Sequence, residues 1–149
     1  MTRPAALLAL LAVLGAAPAG ADWAGGGNTE VRLDGDGKSW LVHATLDNKV
    51  SGLFLIDTGA TYCVLTATTA RSLGIPPGAE QAEMQTANGT VRVPVVHVPT
   101  VDVGGNRAHD VVAVVQNAVG SPLAGILGLS YLDHFQYSID PKKRVLRLH

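Results

Sequence analysis

A chain of 149 residues, 47% hydrophobic and 15% charged with 17 glycines, has the size and composition of one globular domain rather than of a disordered tail. A net charge of -1, with no basic stretch interleaved with aromatics, removes the electrostatic basis for binding nucleic acid or an anionic membrane surface. The single cysteine, Cys63, excludes an intrachain disulfide and any zinc site built from cysteine pairs.

Residues 1–21 read as a secretory signal peptide. Arg3 is the positive n-region, residues 5–17 are an unbroken apolar run, Pro18 breaks it, and Ala19-Gly20-Ala21 fits the small-x-small cleavage pattern. The run is shorter than the about 20 residues a membrane span needs. The expectation is an exported protein, periplasmic or secreted, cut before Asp22. An uncleaved anchor is the alternative, and the one route by which this chain meets a membrane. A chain with one cysteine suits an oxidising compartment, because it cannot mispair internally. The Gly-rich residues 22–29 read as a flexible leader to a single domain over residues 30–149.

Residues 30–33 begin the sheet. Asp34-Gly35-Asp36-Gly37 starts like a calcium loop but lacks the later ligands and the closing glutamate, so it reads as a turn. Residues 40–46 alternate as a strand, Asp47-Asn48-Lys49 is a turn, and residues 50–56 are the returning strand. That strand ends in Leu53-Phe54-Leu55-Ile56 and runs into Asp57-Thr58-Gly59-Ala60. A carboxylate at the end of a buried strand costs solvation free energy unless it is hydrogen-bonded or paired. Asp57 is therefore the candidate catalytic group. Cys63 follows among apolar residues and reads as a small buried hydrophobe rather than a nucleophile. Thr66 is placed to cap a short helix over residues 67–73, closed by Gly74 and stopped by Pro76-Pro77-Gly78.

Residues 83–103 read as two extended arms around Ala87-Asn88-Gly89-Thr90. Asn-Gly between extended segments signals a hairpin, because both residues tolerate positive φ. Pro94 and Pro99 predict edge or interrupted strands. Gly104-Gly105-Asn106 is the next turn, residues 110–115 a β-branched strand and residues 117–122 a loop. The small and apolar run Ala124-Gly125-Ile126-Leu127-Gly128-Leu129 precedes one helical turn over residues 130–135. Residues 136–139 and 144–148 are strands joined by Asp140-Pro141-Lys142-Lys143. Many short strands, regular turns and one or two short helices predict a mostly β domain without internal repeats.

The other reactive side chains form no pattern. His43, His97, His109, His134 and His149 lack metal-ligand spacing, although His97 and His109 straddle the Gly104-Gly105 turn. No metal and no cofactor are expected. Asp102, Asp110, Asp133 and Asp140 read as turn or rim residues. Ser51, Ser72, Ser121, Ser130 and Ser138 lack a Gly-x-Ser-x-Gly setting.

Two stretches together carry a family likeness. Ile56-Asp57-Thr58-Gly59-Ala60-Thr61 resembles the active-site loop of aspartic proteases. Ile126-Leu127-Gly128, followed by Tyr131-Leu132, resembles the segment that pairs with that loop in a psi-shaped arrangement. Their separation is like that of the single-domain retropepsin-like branch of clan AA. With Ala87-Asn88-Gly89, Gly104-Gly105 and residues 125–132, the chain looks like the exported bacterial members. The likeness covers nearly all of the mature chain.

The resemblance implies a single-domain acid-protease barrel and an aspartic endopeptidase acting on peptides. It implies a homodimer in which each chain supplies one Asp57, since this sequence has one Asp-Thr-Gly. Two carboxylates that share a proton cannot both ionise. One takes a proton from water while the other donates to the scissile carbonyl oxygen. By resemblance Thr58 bonds across the dimer, Gly59 brings amides to the carboxylates, and Ala87, Asn88, Gly89 and Thr90 form a flap. Ala60 replaces the Ser of two-lobed pepsin-like enzymes, which implies activity less confined to strong acid. The retroviral enzymes place an Asp and an Arg where this chain has Thr61 and Leu129, so their ion pair is absent as a whole. Dimer support is then expected from packing, with residues 144–149 in an intersubunit sheet. A non-catalytic peptide-binding or adaptor module on the same fold stays open as the alternative.

Overall fold

The computed structural model describes residues 28–76 and 78–149; the predicted signal peptide and nearly all of the leader lie outside the described residues. In chain order the strands and helices are β1 (Thr29–Arg32), β2 (Asp34–Gly35), β3 (Trp40–Leu46), β4 (Val50–Ile56), β5 (Cys63–Leu65), α1 (Ala67–Leu73), β6 (Gln81–Thr86), β7 (Gly89–Val103), β8 (Asn106–Val115), β9 (Leu123–Leu127), α2 (Leu129–Leu132), β10 (Tyr137–Asp140) and β11 (Val145–Leu148). The mostly β architecture with two short helices is the predicted one.

The strands order as β2-β3-β4-β9-β5-β8-β7-β6, and a further β3–β7 pairing closes six of them, β3 through β7, into a barrel. That closure runs through Thr45 opposite Asp102 and Leu46 opposite Val101. The remaining strands form a separate antiparallel sheet, β1-β11-β10.

Burial follows the two-residue period of the strands. Phe54 and Ile56 of β4, Cys63 and Leu65 of β5 and Leu127 of β9 enter the main core with Tyr131, Leu146 and Leu148. The intervening Leu55, Val64 and Ile126 enter a second, smaller core with Ala60, Met84, Val93, Val95 and Val114. These strands are therefore covered on both faces. That is why their sequences read as continuous apolar runs.

Local chemistry explains the turns. At the end of β3, Asp47 and Asn48 both take positive φ, which Asp and Asn tolerate better than most side chains. Asp36 Oδ1 accepts from the Lys38 and Ser39 amides, so the hydrogen-bonded turn begins at Asp36, whereas Asp34 and Gly35, read from the sequence as part of that turn, form β2 and pair with Leu41 and Trp40 of β3. Thr66 accepts from the Thr69 amide at the start of α1, and Gly74 closes that helix in the left-handed conformation.

Four other expectations change. Pro94 and Pro99 do not break β7, which runs unbroken over 15 residues. Instead β7 changes partner at Pro94: Gly89 to Pro94 pair with β6, and Val95 onward pairs with β8. At Pro99, which has no N–H, the ladder steps from Val98 opposite Val111 to Thr100 opposite His109. The skipped Asp110 takes a φ of 50°. In the β6–β7 hairpin, Gly89 takes positive φ but Asn88 does not, so the turn is Ala87-Asn88 with Gly89 opening the return strand. Asn106 belongs to β8 rather than to the turn before it.

The fourth change concerns the C-terminal strand. Residues of β11 pair with β1 on one side and with β10 on the other. Both edges of the backbone are used within the chain, so residues 145–148 offer no free edge of their own, and the outer edges of this sheet belong to β1 and β10. Arg147 braces this arrangement through ion pairs to Glu30 at 2.9 Å and Asp140 at 3.3 Å.

Candidate active site

The site is built where β9 inserts between β4 and β5. It runs parallel to β4, with Ile56 opposite Leu127, and antiparallel to β5, with Val64 opposite Ile126. Asp57 leaves the end of β4, and its amide donates to the Leu127 carbonyl at 3.1 Å. The loop closes on itself where the Ala60 amide donates to the Asp57 carbonyl at 3.2 Å. Asp57 Oδ1 accepts from the Gly59 amide at 2.9 Å, and the residue as a whole is half-buried. The hydrogen bond demanded of a carboxylate in this position is thus supplied by its own loop.

The outgoing limb of the loop is fastened to the start of α2. The Leu129 amide donates to the Ala60 carbonyl at 2.8 Å, and the Ser130 amide to the Thr61 carbonyl at 2.9 Å. This contact requires two glycines. A Cβ on Gly128 would lie 2.5 Å from the Tyr62 carbonyl oxygen and 2.7 Å from that of Ala60. A Cβ on Gly125 would lie 2.0 Å from the Val64 carbonyl oxygen. Ile126, Leu127 and Gly128 are all buried in this seam.

Ala60 is buried, whereas Thr58 and Gly59 are exposed. The Thr58 hydroxyl has no hydrogen-bond partner among the described residues. The loop therefore presents its tip outward with Asp57 just behind it. One chain brings one carboxylate to this point.

The β6–β7 hairpin rises from the same small core. Met84 and Val93 of its two strands pack in the cluster that contains Ala60. Its tip residues Ala87, Asn88 and Thr90 are exposed and Gly89 is half-buried. Side chains stiffen the tip: Thr86 donates to the Gly89 carbonyl at 2.8 Å, and Thr90 to Gln85 at 2.9 Å.

Cys63 and Ser130 meet behind the loop. The Cys63 amide donates to Ser130 Oγ at 2.8 Å, and the Ser130 hydroxyl donates to the Val112 carbonyl at 2.6 Å. The Gly128 amide points at Cys63 Sγ at 3.4 Å. Burial pushes the Cys63 thiol above its ordinary range, which keeps it in the un-ionised form that acts as a weak acceptor. Sequence reasoning found the cysteine's burial but missed Ser130 as a partner. A serine two positions after a glycine carries no signal until α2 turns it toward β5 and β8.

The histidines stay apart. His97 and His109 flank the same turn but do not face each other, since His97 lies opposite Val112 and His109 opposite Thr100. Among the described residues no three His, Cys, Asp or Glu side chains gather as metal ligands. His97 instead contacts Asp110 through Nδ1 at 2.9 Å and Glu80 through Nε2 at 3.5 Å.

Comparison with known proteins places the chain in a family. The sequence profile of the family described as "Aspartyl protease" matches residues 42–131, more than half of the chain and both limbs of the site. No curated protein sequence matches significantly. A solved structure of a retropepsin-like aspartic protease from Rickettsia conorii superposes with a TM-score of 0.62 at 24% identity, covering 82% of this chain and 90% of that one. The inserted strand, the Asp-Thr-Gly loop and the closed barrel thus belong together: the chain is a member of the aspartyl protease family and has the retropepsin-like fold.

Proposed function

We propose that the protein is an aspartic endopeptidase that works as a homodimer, with Asp57 of each chain forming one catalytic pair. The observation that carries this reading is the incomplete site: one half-buried Asp57 behind the exposed tip Thr58-Gly59. A two-fold axis at that tip brings two carboxylates together with a symmetric interface, the commonest oligomer geometry. The ionised partner takes a proton from water, whose oxygen bonds to the scissile carbonyl carbon. The protonated partner gives its proton to the carbonyl oxygen. Collapse of the tetrahedral adduct then breaks the C–N bond as a proton passes to the leaving nitrogen. The substrate is an extended peptide segment, added as a strand beneath the β6–β7 hairpins, which close over it as flaps. Residues 1–21 support a site of action outside the cytoplasm.

One observation favours a second reading. With both edges of β11 occupied inside the chain, a monomeric peptide-binding module on the same fold is the competitor. Peptide cleavage by the purified protein, followed from acidic to neutral pH, separates the two. Turnover that disappears in Asp57→Asn and Asp57→Ala supports the endopeptidase. Peptide binding without turnover by a monomer, or turnover that survives both substitutions, overturns it.

A further inference from the structure

Ser130 matters for where it stands relative to the Asp57 loop, and its role rests on the reading of Asp57 as the catalytic group. β5 and β8 run parallel, with Cys63 opposite Ala113. In a parallel ladder the amide of Cys63 would reach the carbonyl one residue before its partner, which is Val112. Here the Ser130 hydroxyl stands between those two groups, accepting from Cys63 at 2.8 Å and donating to Val112 at 2.6 Å. A side chain from a third element is spliced into the ladder at the point where β5 begins.

The splice is not a helix cap. The N-cap position of α2 is Gly128, with no side-chain cap bond, and the Ser130 hydroxyl points away to the sheet. Its effect falls on the catalytic loop. The limb leaving Asp57 is held at Ala60 by the Leu129 amide, at Thr61 by the Ser130 amide and at Cys63 by the Ser130 hydroxyl. Two of these three ties are backbone groups that any residue supplies. The third needs a hydroxyl at position 130.

We propose that Ser130 is a positioning residue for the reaction: its hydroxyl sets the distance between β5 and β8 and thereby the place of Asp57 at the mouth of the site. A positioning role affects turnover more than substrate affinity, because a displacement of about 1 Å costs about 10²-fold in rate. It does not touch substrate.

The test compares wild type, Ser130→Ala, Ser130→Thr and Asp57→Asn in the full chain, well below the unfolding midpoint of each. Peptide turnover is one readout and amide hydrogen exchange the other. The expected result is that Ser130→Ala lowers kcat by about 10- to 100-fold with KM within about twofold, while Ser130→Thr, which keeps the hydroxyl, restores most of kcat. Exchange at the Cys63, Gly59 and Ala60 amides is expected to quicken in Ser130→Ala and to return in Ser130→Thr. Unchanged kcat, equal impairment of both Ser130 variants, or loss in proportion to the unfolded fraction overturns the proposal. If wild type cleaves no peptide, the endopeptidase reading fails and exchange alone decides this one. Quickening that reaches Gly59 and Ala60 then supports it, and quickening confined to Cys63 or absent overturns it.

Discussion

The amide of Asp57 donates to the carbonyl of Leu127 at 3.1 Å, so the aspartate loop and the Ile-Leu-Gly segment form one hydrogen-bonded unit although they lie far apart in the chain. The bond is made by backbone, and among the described residues the side chain of Asp57 accepts a hydrogen bond from the Gly59 amide of its own loop. Position and chemistry are therefore separable at this residue. Asp57→Asn keeps an oxygen that accepts from Gly59. Its unfolding free energy is expected to stay within about 0.5 kcal/mol of wild type, as for substitutions that remove no packing. Peptide turnover is expected to fall by about 10³-fold or more, the scale of a lost acid–base group. Denaturant titration and a peptide assay check the two halves.

The seam behind the loop is expected to reject any side chain. A Cβ at Gly128 or Gly125 would meet carbonyl oxygens of the neighbouring loop or strand, at 2.5 Å and 2.0 Å respectively. Backbone cannot swing aside as a flexible side chain can. Gly128→Ala and Gly125→Ala are each expected to destabilise by about 3 kcal/mol or more. Gly120, with nothing within 4 Å of its Cβ direction, is the control. Gly120→Ala is expected to change stability by less than about 1 kcal/mol. Equal effects at the three sites would refute this account of the seam.

A shared site has a mixing signature. Equal amounts of wild type and Asp57→Asn, allowed to re-equilibrate, are expected to show about one quarter of the activity of wild type at the same total concentration, because random pairing in a two-fold dimer leaves that fraction intact. Specific activity is also expected to fall on dilution through the dimer constant. Activity of one half, independent of dilution, would mean that each chain works alone.

The hairpin base carries a pH-sensitive tie. His97 lies between Asp110 and Glu80, the residue before β6. A neutral imidazole has one N–H and can serve only one of these carboxylates, whereas imidazolium serves both. The hydrogen bond to Asp110, then its charge, then the Glu80 contacts raise the His97 pKa above 6.5, against a smaller opposing effect of burial. A raised folded-state pKa gives stability that is fully present below the unfolded value and is lost as pH rises through the folded value. The stability difference between wild type and His97→Gln is therefore expected to be larger at mildly acidic pH than in alkaline solution. It is expected to be small, since all three groups are exposed. An imidazole titration by NMR with a midpoint below 6.5 would contradict the tie.

Much of this protein was readable along the chain. The β3–β4 hairpin and α1 with its Thr66 and Gly74 caps lie where alternation and capping chemistry predict them, because short-range sterics and local hydrogen bonds dictate them. Asp57-Thr58-Gly59 and Ile126-Leu127-Gly128 were legible as motifs. Misreadings arose where a partner elsewhere in the chain decides. Pro94 permits a continuous β7 because the strand changes neighbour there. The C-terminal strand is sealed because β1 and β10 take both its edges.

By itself the sequence determined a mostly β domain, a carboxylate at the end of a buried strand and a segment able to pair with it. Those features depend on residue type and near neighbours, which a linear reading contains. Only the tertiary structure decided that β9 inserts between β4 and β5, that the Ser130 hydroxyl completes the ladder between β5 and β8, and that Gly125 and Gly128 face carbonyl oxygens. These depend on which backbone groups of distant segments approach to within hydrogen-bonding distance, and that is set by closure of the barrel as a whole.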